Sequence, residues 1–261
     1  MKELSCIPKI EELEQFLAFS AQYDAAFEYN DFFLPQILDD PIATERIIQT
    51  YQNTGRDFSK DTLHGAFLDI CVNSQDPMIY RASDYRVRQC MDIAQRMGLR
   101  AVIFHTNYIA NFPLRSYQMN WVERNEEYWN QLLEDYPSMT VYIENMFDES
   151  PRLLTELAMR LRDHPRFGVC YDIAHAKISG CPIESWYEEM RPLAKHIHIN
   201  DNDGLEDLHM AVGAGTICWQ QFSQWCQSLT QPPTVLIEVR SWQELITSVN
   251  FLQKQHIYPF S

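Results

Sequence analysis

The sequence has no run of eighteen apolar residues, so nothing in it reads as a membrane span. Its opening segment, MKELSCIPKIEELEQ, is charged and lacks an apolar stretch, so no secretory signal is expected. No CxxC pair occurs. The seven cysteines (6, 71, 90, 170, 181, 218 and 226) are odd in number and scattered. That argues against a thiolate metal site or a disulfide framework, and for reduced thiols in a cytoplasmic protein. Positive charge is scarce: 21 Lys and Arg stand against 36 Asp and Glu, a formal net charge of −15. Such a surface repels nucleic acid and anionic lipid, which disfavours both as partners. There is also no low-complexity tract and no linker, and the whole of 1–261 reads as a single domain.

What recurs instead is a short apolar, β-branched run followed by a polar stretch of helical periodicity. The runs are AAFEYNDF (25–32), TLHGAFL (62–68), RAVIFHTNY (100–108), TVYIENM (140–146), FGVCYDIAH (167–175), KHIHIND (195–201) and TVLIEV (234–239), with a weaker LSCIP at 4–8. Between them lie IEELEQFLAFSAQY, YRVRQCMDIAQRMG, NEEYWNQLLEDY, PRLLTELAMRLRDH and SWQELITSVNFLQKQ. Eight strands alternating with about eight helices in 261 residues fit a single (β/α)8 TIM barrel. An open doubly wound sheet is the alternative. No glycine-rich phosphate turn follows the first strand, which weighs against it.

The polar residues fall at a particular place in each unit. His64, His105, Glu144, Asp172, His198 and Glu238 all lie near the ends of successive strands. His175 follows Asp172 by three, and Asp207 and His209 lie in the loop after His198. Barrel strands open their C-terminal ends onto one face, where active sites are built. Singly, each residue has an ordinary structural reading. A histidine can be a satisfied strand end, Glu144 or Glu238 can pair with an arginine such as Arg240, and Asp172 can cap the following helix. Jointly, so many buried imidazoles and carboxylates are costly unless a cation sits among them. A mixed imidazole and carboxylate set without thiolate suits Zn2+ or Mn2+, and also Fe2+ or Co2+, better than Ca2+ or Mg2+. Nine candidate ligands exceed what one ion needs, so two or three ions are open.

These motifs resemble the xylose-isomerase-like TIM-barrel superfamily, which holds sugar and sugar-phosphate isomerases and epimerases and the endonuclease IV relatives. The likeness runs from about residue 25 to 240 and rests on HGAFLD, IFHTNY, VYIENM, CYDIAHAKISG, HIHINDNDGLEDLHMAVGAGTICW and LIEV. The resemblance implies a metal held by Glu144, Asp172, His198 and Glu238, as in the sugar epimerases. It matches His64, His105, His175, Asp207 and His209 to the additional ligands of the trinuclear endonuclease. One departure is the loop before Asp207. It reads DNDGLED, acidic where the endonuclease has basic residues. In HGAFLDICVNSQDPM, Phe67 and Leu68 suit either a wedge in a duplex or rim packing.

The expected function is therefore a divalent-metal-dependent sugar or sugar-phosphate isomerase or epimerase. It would act by proton transfer through a metal-stabilised enediolate, with Glu144 and Glu238 as the proton-transfer pair. His175 and His209 would bind hydroxyls or a second ion, and Arg240 and Lys177 would contact substrate. The substrate class is a small sugar or polyol, and the reading allows a homo-oligomer. The alternatives are an endonuclease IV-like phosphodiesterase acting on abasic DNA, and a barrel that keeps its metals as a binding or regulatory protein. His196 and His198 pose a puzzle. They are two apart and should face one side of a strand, so a bulge or the strand's end must separate their roles.

Overall fold

The computed structural model describes residues 3–109 and 114–261. Eight parallel strands close into one barrel in sequence order: β1 (Leu4–Cys6), β2 (Ala26–Tyr29), β3 (Thr62–His64), β4 (Ala101–His105), β5 (Thr140–Glu144), β6 (Phe167–Asp172), β7 (Ala194–Ile199) and β8 (Thr234–Ile237). Closure is made where Leu4, Ser5 and Cys6 pair with Val235, Leu236 and Ile237. A closed parallel barrel leaves no free strand edge, and its crossover helices bury the outer strand faces. The fold class read from the strand–helix alternation is the one observed.

The helices are α1 (Leu13–Tyr23), α2 (Pro35–Leu38), α3 (Pro41–Gln52), α4 (Pro77–Met97), α5 (Arg115–Asp135), α6 (Arg152–Arg160), α7 (Ile173–Ile178), α8 (Ile183–Met190), α9 (Trp219–Gln227) and α10 (Trp242–Lys254). Their starts are written in the sequence. Asp40 and Asp76 accept backbone N–H groups of the first turns of α3 and α4, and each is followed by a proline at the first helical position. At α10, Ser241 accepts from the Glu244 amide while its hydroxyl donates to the Glu244 carboxylate. The outer core lies between strands and helices. Phe104, for example, packs on Trp129 across β4 and α5.

The barrel interior is unusual in being polar near its C-terminal end. Residues two apart on a strand share a face, so each inward side chain sits beneath the next. The upper layer is His64, His105, Glu144, Asp172, His198 and Glu238. Beneath it lie Thr62, Cys170, His196 and Thr234, with Glu28 reaching up from β2. The pairing of β6 with β7 shifts between Val169 and Cys170, which leaves Lys195 unpaired and exposed. This bulge precedes both histidines. His196 and His198 therefore face inward together, and depth separates their roles rather than side.

Candidate metal centre

Four strand ends bring Glu144, Asp172, His198 and Glu238 together so that one ligand atom from each lies within 4.8 Å of the others. His198 Nδ1 is 3.2 Å from Glu144 Oε2 and 3.2 Å from Glu238 Oε2. A second group, His64, His105 and Glu144, shares the Glu144 carboxylate, and a third is His175, Asp207 and His209. His64 and His105 point their Nε2 atoms at each other across 3.1 Å, and His105 Nε2 lies 3.3 Å from Glu144 Oε2. His175 Nε2 is 3.4 Å, and His209 Nε2 3.1 Å, from Asp207 Oδ2. All nine residues singled out in the sequence thus converge on one end of the barrel.

The fit of this set to a cation is visible in its unsatisfied atoms. Both Glu144 oxygens, Glu238 Oε2, His198 Nδ1 and Asp207 Oδ1 are buried without a hydrogen-bond partner. No arginine pairs with Glu144 among the described residues; histidines surround it. Buried, unpaired carboxylates cost several kcal/mol, and convergent donors of this chemistry recover that cost when a divalent cation binds.

Three of the histidines are aimed by their other ring nitrogen. His64 Nδ1 donates to the Gly65 carbonyl at 3.0 Å, His175 Nδ1 to the Asn145 carbonyl at 2.8 Å and His209 Nδ1 to the Glu238 carbonyl at 3.3 Å. In each case Nε2 is turned toward the cluster. Asp172 does cap a helix: its Oδ1 accepts the His175 amide at the start of α7. The cap and the four-donor group share one carboxylate, which fixes His175 relative to it. Asn145 carries no signal in the sequence motif. Its amide exchanges two 2.9 Å hydrogen bonds with the Asp172 backbone and locks the ends of β5 and β6 together. His209 adopts a left-handed φ of 51°, a conformation with an energetic cost that recurs at ligand sites.

The electrostatics of the cluster reflect crowding. Burial opposes charge on His198, but the Glu144, Glu28 and Glu238 carboxylates around it outweigh burial and hold its pKa well above the usual imidazole value. His209 behaves alike: burial lowers it, but Glu238 and Asp207 push it up to about 9. Asp172 is pushed up to about 7, by burial first and then by Glu144 and Glu238. Glu144 is held well below the carboxylate range by His198 and His105 despite its burial.

The loop that carries Asp207 and His209 is pinned by Asp201. Its Oδ1 accepts from the Asn202 and Ile217 amides, and its Oδ2 from the Gly213 amide and the Trp219 indole, all between 2.8 and 3.1 Å. Gly215 is required by close approach, since a Cβ there would lie 2.2 Å from the Asn202 carbonyl. The Gly-x-Gly and Trp of the motif thus fold the loop back on β7. Asp203 accepts the Leu205 and Glu206 amides and turns the loop. Asp201→Asn replaces one acceptor oxygen by a donor and strands two N–H groups, one of them buried, which costs about 2 kcal/mol. Urea unfolding is expected to show that loss; a change below about 1 kcal/mol would contradict the pinning role.

Above the donors opens a cavity of about 390 Å³. Phe33, Phe67 and Phe147 wall it. Phe67 lies 4.9 Å from the His105 ring and 5.3 Å from Phe33, so it packs the rim, while Leu68 is exposed. Arg240 lines the cavity and pairs with no acid among the described residues; Lys9, which sequence reasoning missed, lines it too. Lys177 does not. It is exposed in the last turn of α7, beside a separate shallow pocket formed with Ile173 and Thr216, so its expected substrate contact has no support in this geometry.

A family model described as a xylose isomerase-like TIM barrel matches residues 18–255. The chain belongs to the xylose isomerase-like TIM barrel family. Solved structures in this fold include the TTHB071 protein from Thermus thermophilus, soaked with ZnCl2. It is 20% identical, covers 97% of each chain and superposes with a TM-score of 0.75. A D-tagatose 3-epimerase-like protein is also 20% identical, over 97% of this chain and 96% of its own, with a TM-score of 0.75. IOLI, described with a binding zinc atom, is 15% identical over 97% of each chain, with a TM-score of 0.71. At these identities the likeness establishes the fold. No helix among the described residues is long and apolar enough to cross a membrane.

Proposed function

We propose that this member of the family is a divalent-metal-dependent isomerase or epimerase acting on a small sugar or polyol. The observation that carries the reading is the four-donor centre, with Glu144 and Glu238 flanking His198 Nδ1 at equal distances beneath a cavity of sugar size. Glu144, Asp172, His198 and Glu238 would hold the ion, Zn2+ or Mn2+ by donor chemistry. When bound, it supplies Lewis acidity to neighbouring substrate oxygens and so acidifies the adjacent C–H. Glu144 and Glu238 are the two carboxylates placed to remove and return that proton. Glu238 lines the cavity directly, and His175 and His209 face it from the loop side, where they can hold hydroxyls. The zinc named for IOLI and the epimerase likeness support this reading.

Incubation of a ketose panel with Mn2+, Co2+ or Zn2+ in deuterium oxide tests it. Deuterium is expected to enter at one sugar carbon as the epimer forms. If no ketose or polyol exchanges a carbon-bound proton, the reading fails. Arg240 and Lys9 at the mouth suit an anionic group on the substrate. Arg240→Ala is expected to raise KM about tenfold on a phosphorylated or carboxylated substrate, the loss of one charged hydrogen bond, with kcat unchanged. Steady-state kinetics with and without the anionic group check this.

A second reading, metal-assisted phosphodiester hydrolysis at abasic DNA, is favoured by one observation. All nine donors are present and fall into three groups, enough for three ions. The acidic turn around Asp203 and Glu206 stands against it, since a DNA backbone needs a basic footprint. Incision of an abasic duplex, run beside the ketose panel, separates the two.

A further inference from the structure

Below the metal centre lies a carboxylate that the proposed chemistry does not use. Glu28, on β2, is fully buried. Its Oε2 accepts from the Thr62 hydroxyl at 2.7 Å and meets His196 Nε2 at 3.1 Å. Its Oε1 faces His198 Nε2 at 3.1 Å, a close approach short of an aligned hydrogen bond, and neither of those two buried atoms has a hydrogen-bond partner. On its far side His196 Nδ1 contacts the Thr234 hydroxyl, and its ring stacks on Tyr142 with centroids 5.9 Å apart. One carboxylate thus bridges the Nε2 atoms of both histidines, held in place by β3 on one side and β8 on the other.

An imidazole offers a metal only the nitrogen that carries no proton, and the partner of the other nitrogen decides which one that is. His198 turns Nδ1 toward Glu144 and Glu238, and Nε2 toward Glu28. A buried carboxylate accepts and cannot donate, so in the neutral imidazole that binds metal it keeps the proton on Nε2 and leaves Nδ1 bare. We propose that Glu28 is a positioning residue for the metal centre, fixing the orientation and tautomer of His198 from the barrel interior. His196 is then part of the clamp rather than a ligand. Its two bonds, to Glu28 and to Thr234, stop the carboxylate from swinging away. The inference rests on His198 being a ligand.

Glu28→Gln tests it. The side chain keeps its size, but its one oxygen can serve only one of the two histidines, and its amide turned toward His198 would drive the proton to Nδ1. Zinc affinity of the purified chain, measured by competition with a chromophoric chelator, is expected to fall about 10- to 100-fold. Long-range proton–nitrogen spectra of the zinc-loaded wild type should show the His198 proton on Nε2. Thr62→Val, which removes one bond to Glu28 and none to a ligand, is expected to weaken zinc binding in the same direction but less. Thr62→Val decides the matter should Glu28→Gln fail to fold. An unchanged zinc affinity in the folded variant overturns the positioning role. A wild type that takes up no zinc at all would instead overturn the metal centre itself.

Discussion

Glu144→Gln is expected to lower turnover about a thousandfold while leaving the barrel folded. Glutamine fills the same space but neither carries the charge nor takes a proton, and losing a positioned acid–base group alone costs about 10²- to 10⁴-fold. Glu144 has a second duty, because its oxygens face both the four-donor group and the His64–His105 pair. The barrel should still fold, though with lower metal-free stability, since His198 and His105 hold Glu144 charged despite its burial and lose that partner in the variant. Glu238→Gln is expected to fall by a similar factor. It lines the cavity, where the proposed mechanism brings its carboxylate against the substrate. Kinetics paired with thermal unfolding check both. If the two variants keep full turnover, the proton-transfer roles are wrong.

Loading the protein with zinc or manganese is expected to raise its melting temperature by about 10 °C and to release protons. Ligand at a thousand times its Kd adds about 4 kcal/mol, and each kcal/mol shifts a chain of this size by about 2–4 °C. The protons come from the imidazoles. His175 and His198 are raised well above the usual value, and His209 to about 9, each by neighbouring acids that outweigh burial. Near neutral pH they are charged in the metal-free protein and must give up protons to bind metal.

The sign for stability follows from linkage. A raised imidazole contributes stability that is fully present below its ordinary value of 6.5 and lost as pH rises toward about 9. Asp172, raised from 3.8 to about 7, adds a loss between those values, because its neutral form is the one the buried site favours. The metal-free protein should therefore lose stability from mildly acidic to alkaline pH, and bound metal should flatten that loss. Calorimetry of metal binding near neutral pH in buffers of different ionisation enthalpy counts the protons. Release of none would mean that the imidazoles do not ligate.

The sequence made the barrel legible through period and length, and it made the polar cluster legible because strand ends carried residues that strands do not ordinarily need. What it concealed has physical causes. TLHGAFL reads as a longer strand than it is. The chain leaves β3 at His64, where Gly65 passes so close to Phe104 that a Cβ would lie 2.3 Å from its ring, and no local propensity announces that contact. FGVCYDIAH changes from strand to helix inside an apolar run, at Asp172, whose capping role depends on the His175 amide behind it. Periodicity does not announce α2 and α3, although Pro35 and Pro41 mark their starts.

Glu28 escapes a reading of the sequence because a glutamate in AAFEYNDF looks like a solvated alternation; only barrel closure turns that face inward. Arg240 and Lys177 are indistinguishable as isolated cations near site motifs. The direction of β8 beyond Glu238 puts the first at the cavity, and the helical turn of α7 carries the second away from it. The two histidines of KHIHIND can be separated only by knowing where the bulge falls, and it falls at Lys195, before both.

Crystals soaked with zinc and measured at the zinc absorption edge, with the ion content of the dissolved protein counted alongside, put the account to its plainest trial. It predicts an anomalous peak bonded by Glu144, Asp172, His198 and Glu238, with any further peaks at the His64–His105 and His175–Asp207–His209 groups. Zinc-free density at the four-donor centre of a protein that binds the ion elsewhere, or not at all, would contradict it.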